Sequence, residues 1–201
     1  MILELVSEEE AKDWKRRQCL IGSHPRSGSH WLRRMLGEVA ARRTGFDLTF
    51  VNIDTFIGFN PIPVNDDQVS KHTLPLFYAT HNPDPRMRVF LRRKFSDVLN
   101  SCWKAEDDSM NLNFTGSKEE IFDAWNRQTT FGTKHAELVV DYDMMKYEPK
   151  AVVSAIFKHC QAEVSDTELD QAVAAGLRAN MLKEQERSPN KEWSIINDAN
   201  Y

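Results

Sequence analysis

Three apolar residues, Cys19, Leu20 and Ile21, stop at Gly22. A turn of small residues carrying Pro25 and Arg26 runs to Gly28, and from Ser29 the apolar positions fall at Leu32, Met35, Leu36, Val39 and Ala40. The first run suits a buried strand and the later spacing suits a helix. Strand, tight turn and helix in that order constrain this chain more than any other stretch. They aim backbone N–H groups at the turn, where an anion is the natural partner. Gly28 lets the backbone approach such an anion closely, Ser27 and Ser29 offer hydroxyls, and Arg26 adds a fixed positive charge. The spacing is not that of the Gly-x-x-x-x-Gly-Lys-Ser/Thr nucleotide loop. Here Gly22 and Gly28 stand six positions apart, and Ser29 follows the second glycine.

The remaining pattern alternates. Strands are expected at 74–80, 87–91 and 137–140, with a further one near Phe46–Val51. Helices are expected at 29–43, from about 95 past Lys104, at 118–134, at 149–160, and at 166–187 in two pieces with Gly176 as the weak point. Ser7-Glu8-Glu9-Glu10 and Ser117-Lys118-Glu119-Glu120 each have the spacing of a capping box, the first opening a helix to about Arg17. Gly45 stands where a C-cap glycine ends the helix begun at Ser29, and Pro149 suits a first helical turn. Residues 56–63 form an aromatic loop, either a packed surface loop or a wall of an acceptor pocket, and 106–116 form a polar loop. Short apolar strands alternating with amphipathic helices indicate an α/β domain whose central parallel sheet is flanked by helices on both faces. Residues 1–201 then form a single domain. Ligands of such sheets sit beyond the carboxyl ends of the strands. The turn at 22–28, His81 and Arg93 all follow expected strands, so they share one edge.

Composition narrows the partners. A net charge of −4 argues against nucleic acid, whose phosphates select basic surfaces. The clusters Arg33-Arg34, Arg42-Arg43 and Arg92-Arg93-Lys94 leave room for one small anion, although most basic pairs are solvated faces. Cys19, Cys102 and Cys160 are odd in number, far apart and set among apolar neighbours, which points to buried reduced thiols. No apolar run approaches the roughly 20 residues of a membrane helix, and the first ten residues lack the pattern of a signal peptide. A cytoplasmic protein without a membrane partner is the expectation.

Three ordered segments add a resemblance. Pro25-Arg26-Ser27-Gly28-Ser29-His30-Trp31 resembles the 5′-phosphosulfate loop of the sulfotransferases, Pro-Lys/Arg-Ser-Gly-Thr/Ser-x-Trp. Arg93, with Asp97-Val98 between it and Ser101 eight positions on, resembles their 3′-phosphate motif. Tyr142-Asp143-Met144-Met145-Lys146-Tyr147-Glu148-Pro149 is similar to their Tyr-Glu-Asp-Met-Lys-x-x-Pro segment. The resemblance implies a sulfotransferase fold related to the P-loop nucleoside triphosphatases. It also implies the donor 3′-phosphoadenosine 5′-phosphosulfate (PAPS), without a metal, and a small-molecule acceptor. The 5′-phosphosulfate is then held by Arg26, Ser27, Gly28, Ser29, His30 and Trp31, and the 3′-phosphate by Arg93 and Ser101. An arginine fork and a hydroxyl suit a phosphate dianion. Tyr142 and Trp31 flank the adenine.

The family's Lys-Thr-His run at a strand end is matched only by Ala79-Thr80-His81, which implies His81 as general base. His72 is the runner-up, in the reordered Lys71-His72-Thr73. Arg26 replaces the commoner lysine and is implied to stabilise the leaving oxygen as a permanent cation. The late Arg-Lys-Gly signature is reduced to Arg187-Ser188-Pro189, with Arg187 an additional phosphate contact. The implied reaction moves a sulfuryl group to an acceptor hydroxyl or amine by in-line displacement. Two other readings remain. One is a nucleotide-binding module that lacks turnover. The other is a P-loop kinase-like phosphotransferase, which needs Lys after Gly28.

Overall fold

A computed structural model describes residues 18–45, 48, 49, 53, 57, 76–106 and 117–186. The helix opened by Ser7, most of the strand expected near Phe46–Val51, most of the aromatic loop at 56–63, nearly all of the polar loop at 106–116, His72 and Arg187 lie outside the described residues.

Strand β1 (Gln18–Ser23) leads into α1 (Ser29–Thr44), followed by β2 (Leu76–Thr80) and β3 (Met87–Arg92). Helices α2 (Phe95–Glu106) and α3 (Lys118–His135) precede β4 (Leu138–Asp141), and α4 (Tyr142–Tyr147), α5 (Pro149–His159), α6 (Asp166–Gly176) and α7 (Arg178–Glu186) complete the order. The four strands form one parallel sheet in the order β2-β1-β3-β4. The expected α/β architecture is therefore present: each described strand, and each described helix except α4, lies within a few residues of its expected place, and α4 is a helix that the apolar spacing did not announce.

Parallel strands covered on both faces read as continuous apolar runs. Cys19, Ile21, Val89 and Leu91 join a core with Leu32, Met35, Leu36 and Val39 of α1 and with Val153, Ile156 and Phe157 of α5. Successive strand residues point to opposite faces. Phe90 accordingly lies against α3, where a Cβ on Gly132 would stand 2.3 Å from its ring, so only glycine admits that approach. A smaller core of Val98 and Ile121, with Phe95, Leu99 and Trp125 against it, joins α2 to α3. Phe122, one residue beyond Ile121, is 43% exposed.

The caps follow the sequence. Ser117 and Glu120 close a reciprocal capping box, Gly45 ends α1 with φ 71°, and Pro149 opens α5. Ser165 and Glu168 close a second box at α6.

The Arg33-Arg34 pair is not a solvated face, whereas Arg42 and Arg43 are exposed. Arg33 and Arg34 are buried. Arg33 donates to the Ile57 carbonyl, and Arg34 pairs with Glu38 at 2.5 Å and Glu184 at 2.8 Å. Cys19 and Cys160 are free and buried, as expected.

Candidate functional site

The sheet order places β2 on one side of β1 and β3 on the other, so the chain changes direction between β1 and β3. At such a switch point the loops beyond the two strand ends part and leave a crevice. The turn after β1 and Arg93 after β3 flank it.

The turn is built from two left-handed residues. Arg26 has φ 66° and Gly28 φ 87°, and the Ser27 N–H closes the turn by donating to the His24 carbonyl at 3.2 Å. The Ser27 N–H is thus engaged within the turn. Gly28 then caps α1 without a side-chain bond. A Cβ there would stand 2.7 Å from Tyr142 Cε2 and 3.0 Å from Met145 Cε, so glycine serves both the backbone angle and the contact with β4's end.

Arg93 is the first residue beyond β3 and is buried. Its Nη1 donates to the Arg26 carbonyl at 2.6 Å, and its guanidinium carbon sits 4.2 Å from the centroid of Tyr142. The register explains the pairing: Arg92 lies opposite Asp141, so the next residues, Arg93 and Tyr142, meet just past the sheet. Arg92 forks onto Asp141 at 2.7 and 3.0 Å, and Lys94 reaches Asp143 at 2.6 Å. Three consecutive residues of one segment therefore face three of the other.

From α2, the buried Ser101 accepts from Arg26 Nε at 2.9 Å. Arg26 thus turns toward Ser101, and residues expected at two different phosphates meet directly. Ser27 Oγ and Arg93 Nε are buried without a partner among the described residues. Buried donors without acceptors are costly. An oxyanion in the crevice is the chemistry that suits them. Trp31 packs edge-on against Tyr142, with centroids 6.1 Å apart at 71°. His30 and Ser29 occupy the first helical positions of α1, as expected.

Across the turn, Gly22 lies opposite Thr80, so Ser23 and His81 are the next pair. His81 Nδ1 lies 2.8 Å from the Ser23 carbonyl and 3.3 Å from Ser23 Oγ. A carbonyl only accepts, so Nδ1 carries the proton and Nε2 the lone pair. Burial lowers the His81 pKa, the bond to Ser23 opposes that, and the Arg33 charge lowers it further. His81 is held as a neutral imidazole. His24, not singled out in the sequence, donates through Nδ1 to the Pro25 carbonyl at 2.7 Å, and burial pushes its pKa down to about 4. The sequence signal for His24 and Arg33 was their position beside the turn, but nothing in the pattern marked either as buried.

No family model and no curated protein sequence matches the chain. Solved structures do. Mouse sulfotransferase SULT7A1 complexed with PAP superposes with a TM-score of 0.57 at 17% identity, covering 87% of this chain and 71% of that one. Retinol dehydratase with androsterone and inactive cofactor PAP gives 0.58 at 10% identity, covering 85% and 67%. The same enzyme with retinol and PAP gives 0.56 at 11% identity, covering 84% and 67%. The fold is that of the sulfotransferases. Within the sulfotransferase fold, the turn after β1, Arg93 after β3 and Ser101 in α2 make one cluster at the switch point. His81 stands on its β2 side, and the other candidate base, His72, lies outside the described residues.

Proposed function

We propose that the chain is a sulfotransferase that moves a sulfuryl group from PAPS to a hydroxyl or amine of a small-molecule acceptor. One observation carries this reading: Arg26 of the turn contacts both Arg93, through its carbonyl, and Ser101, through its guanidinium. The residues assigned to the two ends of a 3′-phosphorylated donor are thereby drawn from three elements into one cluster. PAP, bound by the structural neighbours, is this donor after it has lost its sulfuryl group.

In the proposed reaction the acceptor oxygen or nitrogen attacks sulfur. The bond between sulfur and the 5′-phosphate oxygen breaks, and the acceptor proton passes to His81 Nε2. Arg26, the α1 N-terminus and Ser27 stabilise charge growing on the departing oxygen, a purely electrostatic role. Arg93 and Ser101 hold the 3′-phosphate, Tyr142 and Trp31 border the adenine, and Arg187 adds a further contact. The chemistry needs no metal. The protein acts in the cytoplasm, a location consistent with the free thiols of Cys19 and Cys160. Among the described residues no helix is long and apolar enough to cross a membrane.

Calorimetric titration with PAP, set against AMP and ATP with Mg²⁺, tests the reading. Binding that depends on the 3′-phosphate and is lost in Arg93→Ala is expected. A preference for ATP overturns it in favour of a kinase-like protein. A second reading, a binding module that lacks turnover, is favoured by Ala79 standing where the family's lysine precedes Thr-His. It predicts PAP binding with no transfer to any acceptor in a panel of alcohols and amines.

A further inference from the structure

Arg93 is held at two points. Its guanidinium is fixed by the Arg26 carbonyl and the Tyr142 ring. Its own carbonyl, at the junction between β3 and α2, accepts from the indole Nε1 of Trp125 at 2.9 Å. Trp125 comes from α3, 32 residues further along. The indole is fixed in turn: its ring lies 5.4 Å from Phe95 and 5.9 Å from Phe122, and those two phenyl rings are 5.1 Å apart at 81°. Phe95 is the first residue of α2, and Ser101 lies on the same helix. The small core beneath, Val98 and Ile121, joins α2 to α3 apart from the main core. One tryptophan therefore ties the carbonyl of Arg93 to the helix that carries Ser101.

We infer that Trp125 is a positioning residue for 3′-phosphate recognition, setting through its N–H bond to the Arg93 carbonyl the spacing between the Arg93 guanidinium and the Ser101 hydroxyl. Trp125 touches no donor atom in this scheme. A bidentate cation and a hydroxyl recognise a phosphate only at a fixed separation, since charge-assisted bonds fall away steeply with misalignment. The aromatic pack supplies rigidity at the strand-to-helix junction, where the backbone has no ladder partner to hold it. The inference rests on the donor reading above and assigns its specificity to a residue outside the site.

The test compares PAP and AMP binding to the wild type, Trp125→Phe, Trp125→His and Phe122→Leu. Trp125→Phe keeps an aromatic ring and removes the N–H. It is expected to weaken PAP roughly three- to tenfold, as for one lost hydrogen bond, and to leave AMP within about twofold. The donor KM rises in the same proportion while kcat holds. Trp125→His restores a ring N–H and is expected to recover part of the preference for PAP. Phe122→Leu loosens the same aromatic pack without removing the N–H, so the melting temperature falls while the preference for PAP drops much less than in Trp125→Phe. Equal weakening of PAP and AMP in Trp125→Phe, or a loss of preference in Phe122→Leu as large as in Trp125→Phe, would mean that Trp125 only packs. Unchanged PAP binding in Trp125→Phe, alongside a wild type that discriminates, overturns the inference and leaves the donor reading standing. A wild type that does not distinguish PAP from AMP overturns both.

Discussion

The Arg93 guanidinium lies over the face of Tyr142, 4.2 Å from the ring centroid. Tyr142 is buried, so the attraction acts away from water, where a cation over an aromatic face is worth up to about 2 kcal/mol. The same ring packs beneath Gly28 and edge-on to Trp31. One side chain thus links the strap of cations after β3 to the turn after β1. Tyr142→Leu is expected to weaken PAP binding about 5- to 30-fold, the range spanned by 1–2 kcal/mol. Tyr142→Phe, which keeps the ring, should change it by less than about threefold. Equal effects in the two variants, measured by calorimetry, would show that the ring face does not orient Arg93.

In the proposed site Ser101 is a second handle on the 3′-phosphate. Its hydroxyl accepts from Arg26 Nε at 2.9 Å, and it is 2% exposed, so water does not replace a lost bond easily. Ser101→Ala removes one donor toward the 3′-phosphate and releases Arg26. A charge-assisted bond is worth about 1.5–3 kcal/mol. PAP affinity should therefore fall at least about tenfold, with AMP affinity nearly unchanged. A uniform loss for both nucleotides would place Ser101 outside the 3′-phosphate contact.

Much of this site was legible in the chain because its parts are local. The turn at 22–28 and the Arg93-to-Ser101 spacing each lie within one strand-to-helix passage, where residue type fixes backbone geometry. Tyr142 follows from a strand end in the same way. What the pattern concealed is long-range. The approach of Trp125 to Arg93 and the burial of Arg33 depend on how separate elements pack. A buried arginine carries no signature in helical spacing. Arg33-Arg34 reads as a solvated pair until Ile57, Glu38 and Glu184 are seen around it. The second capping box was readable, since Ser165 and Glu168 have the same spacing as Ser117 and Glu120.

Gly28 joins backbone geometry to the site. With φ 87° it occupies a conformation that costs an L-residue about 1–2 kcal/mol. Gly28→Ala also drives a methyl to 2.7 Å from Tyr142 Cε2, so the ring must move, and with it the face under Arg93. The melting temperature should fall by roughly 2–8 °C, given about 2–4 °C per kcal/mol for a chain of this size. PAP binding should fall further than in Tyr142→Leu. A variant that melts like the wild type and binds PAP normally would remove glycine's double role.

The two histidines beside the turn separate activity from stability as pH falls. His81 is neutral at pH 7 because burial and the Arg33 charge lower its pKa below 6.5. As the proposed base it works until pH drops through that lowered value, so the acid limb of kcat/KM should have its midpoint below 6.5. His81→Ala should abolish turnover and leave PAP binding intact. His24 acts on folding. Its pKa is about 4 in the fold, against about 6.5 in the unfolded chain, so between these values the unfolded state holds the extra proton. Stability is unaffected by this group above pH 6.5 and declines as pH falls from 6.5 toward 4. At 1.36 kcal/mol per unit the full loss is at most about 3 kcal/mol. Urea unfolding at pH 7, 5.5 and 4.5 measures it. His24→Gln should flatten that decline by up to one proton's worth of slope, and an unchanged slope would mean that His24 is protonated in the folded protein as readily as in the unfolded chain.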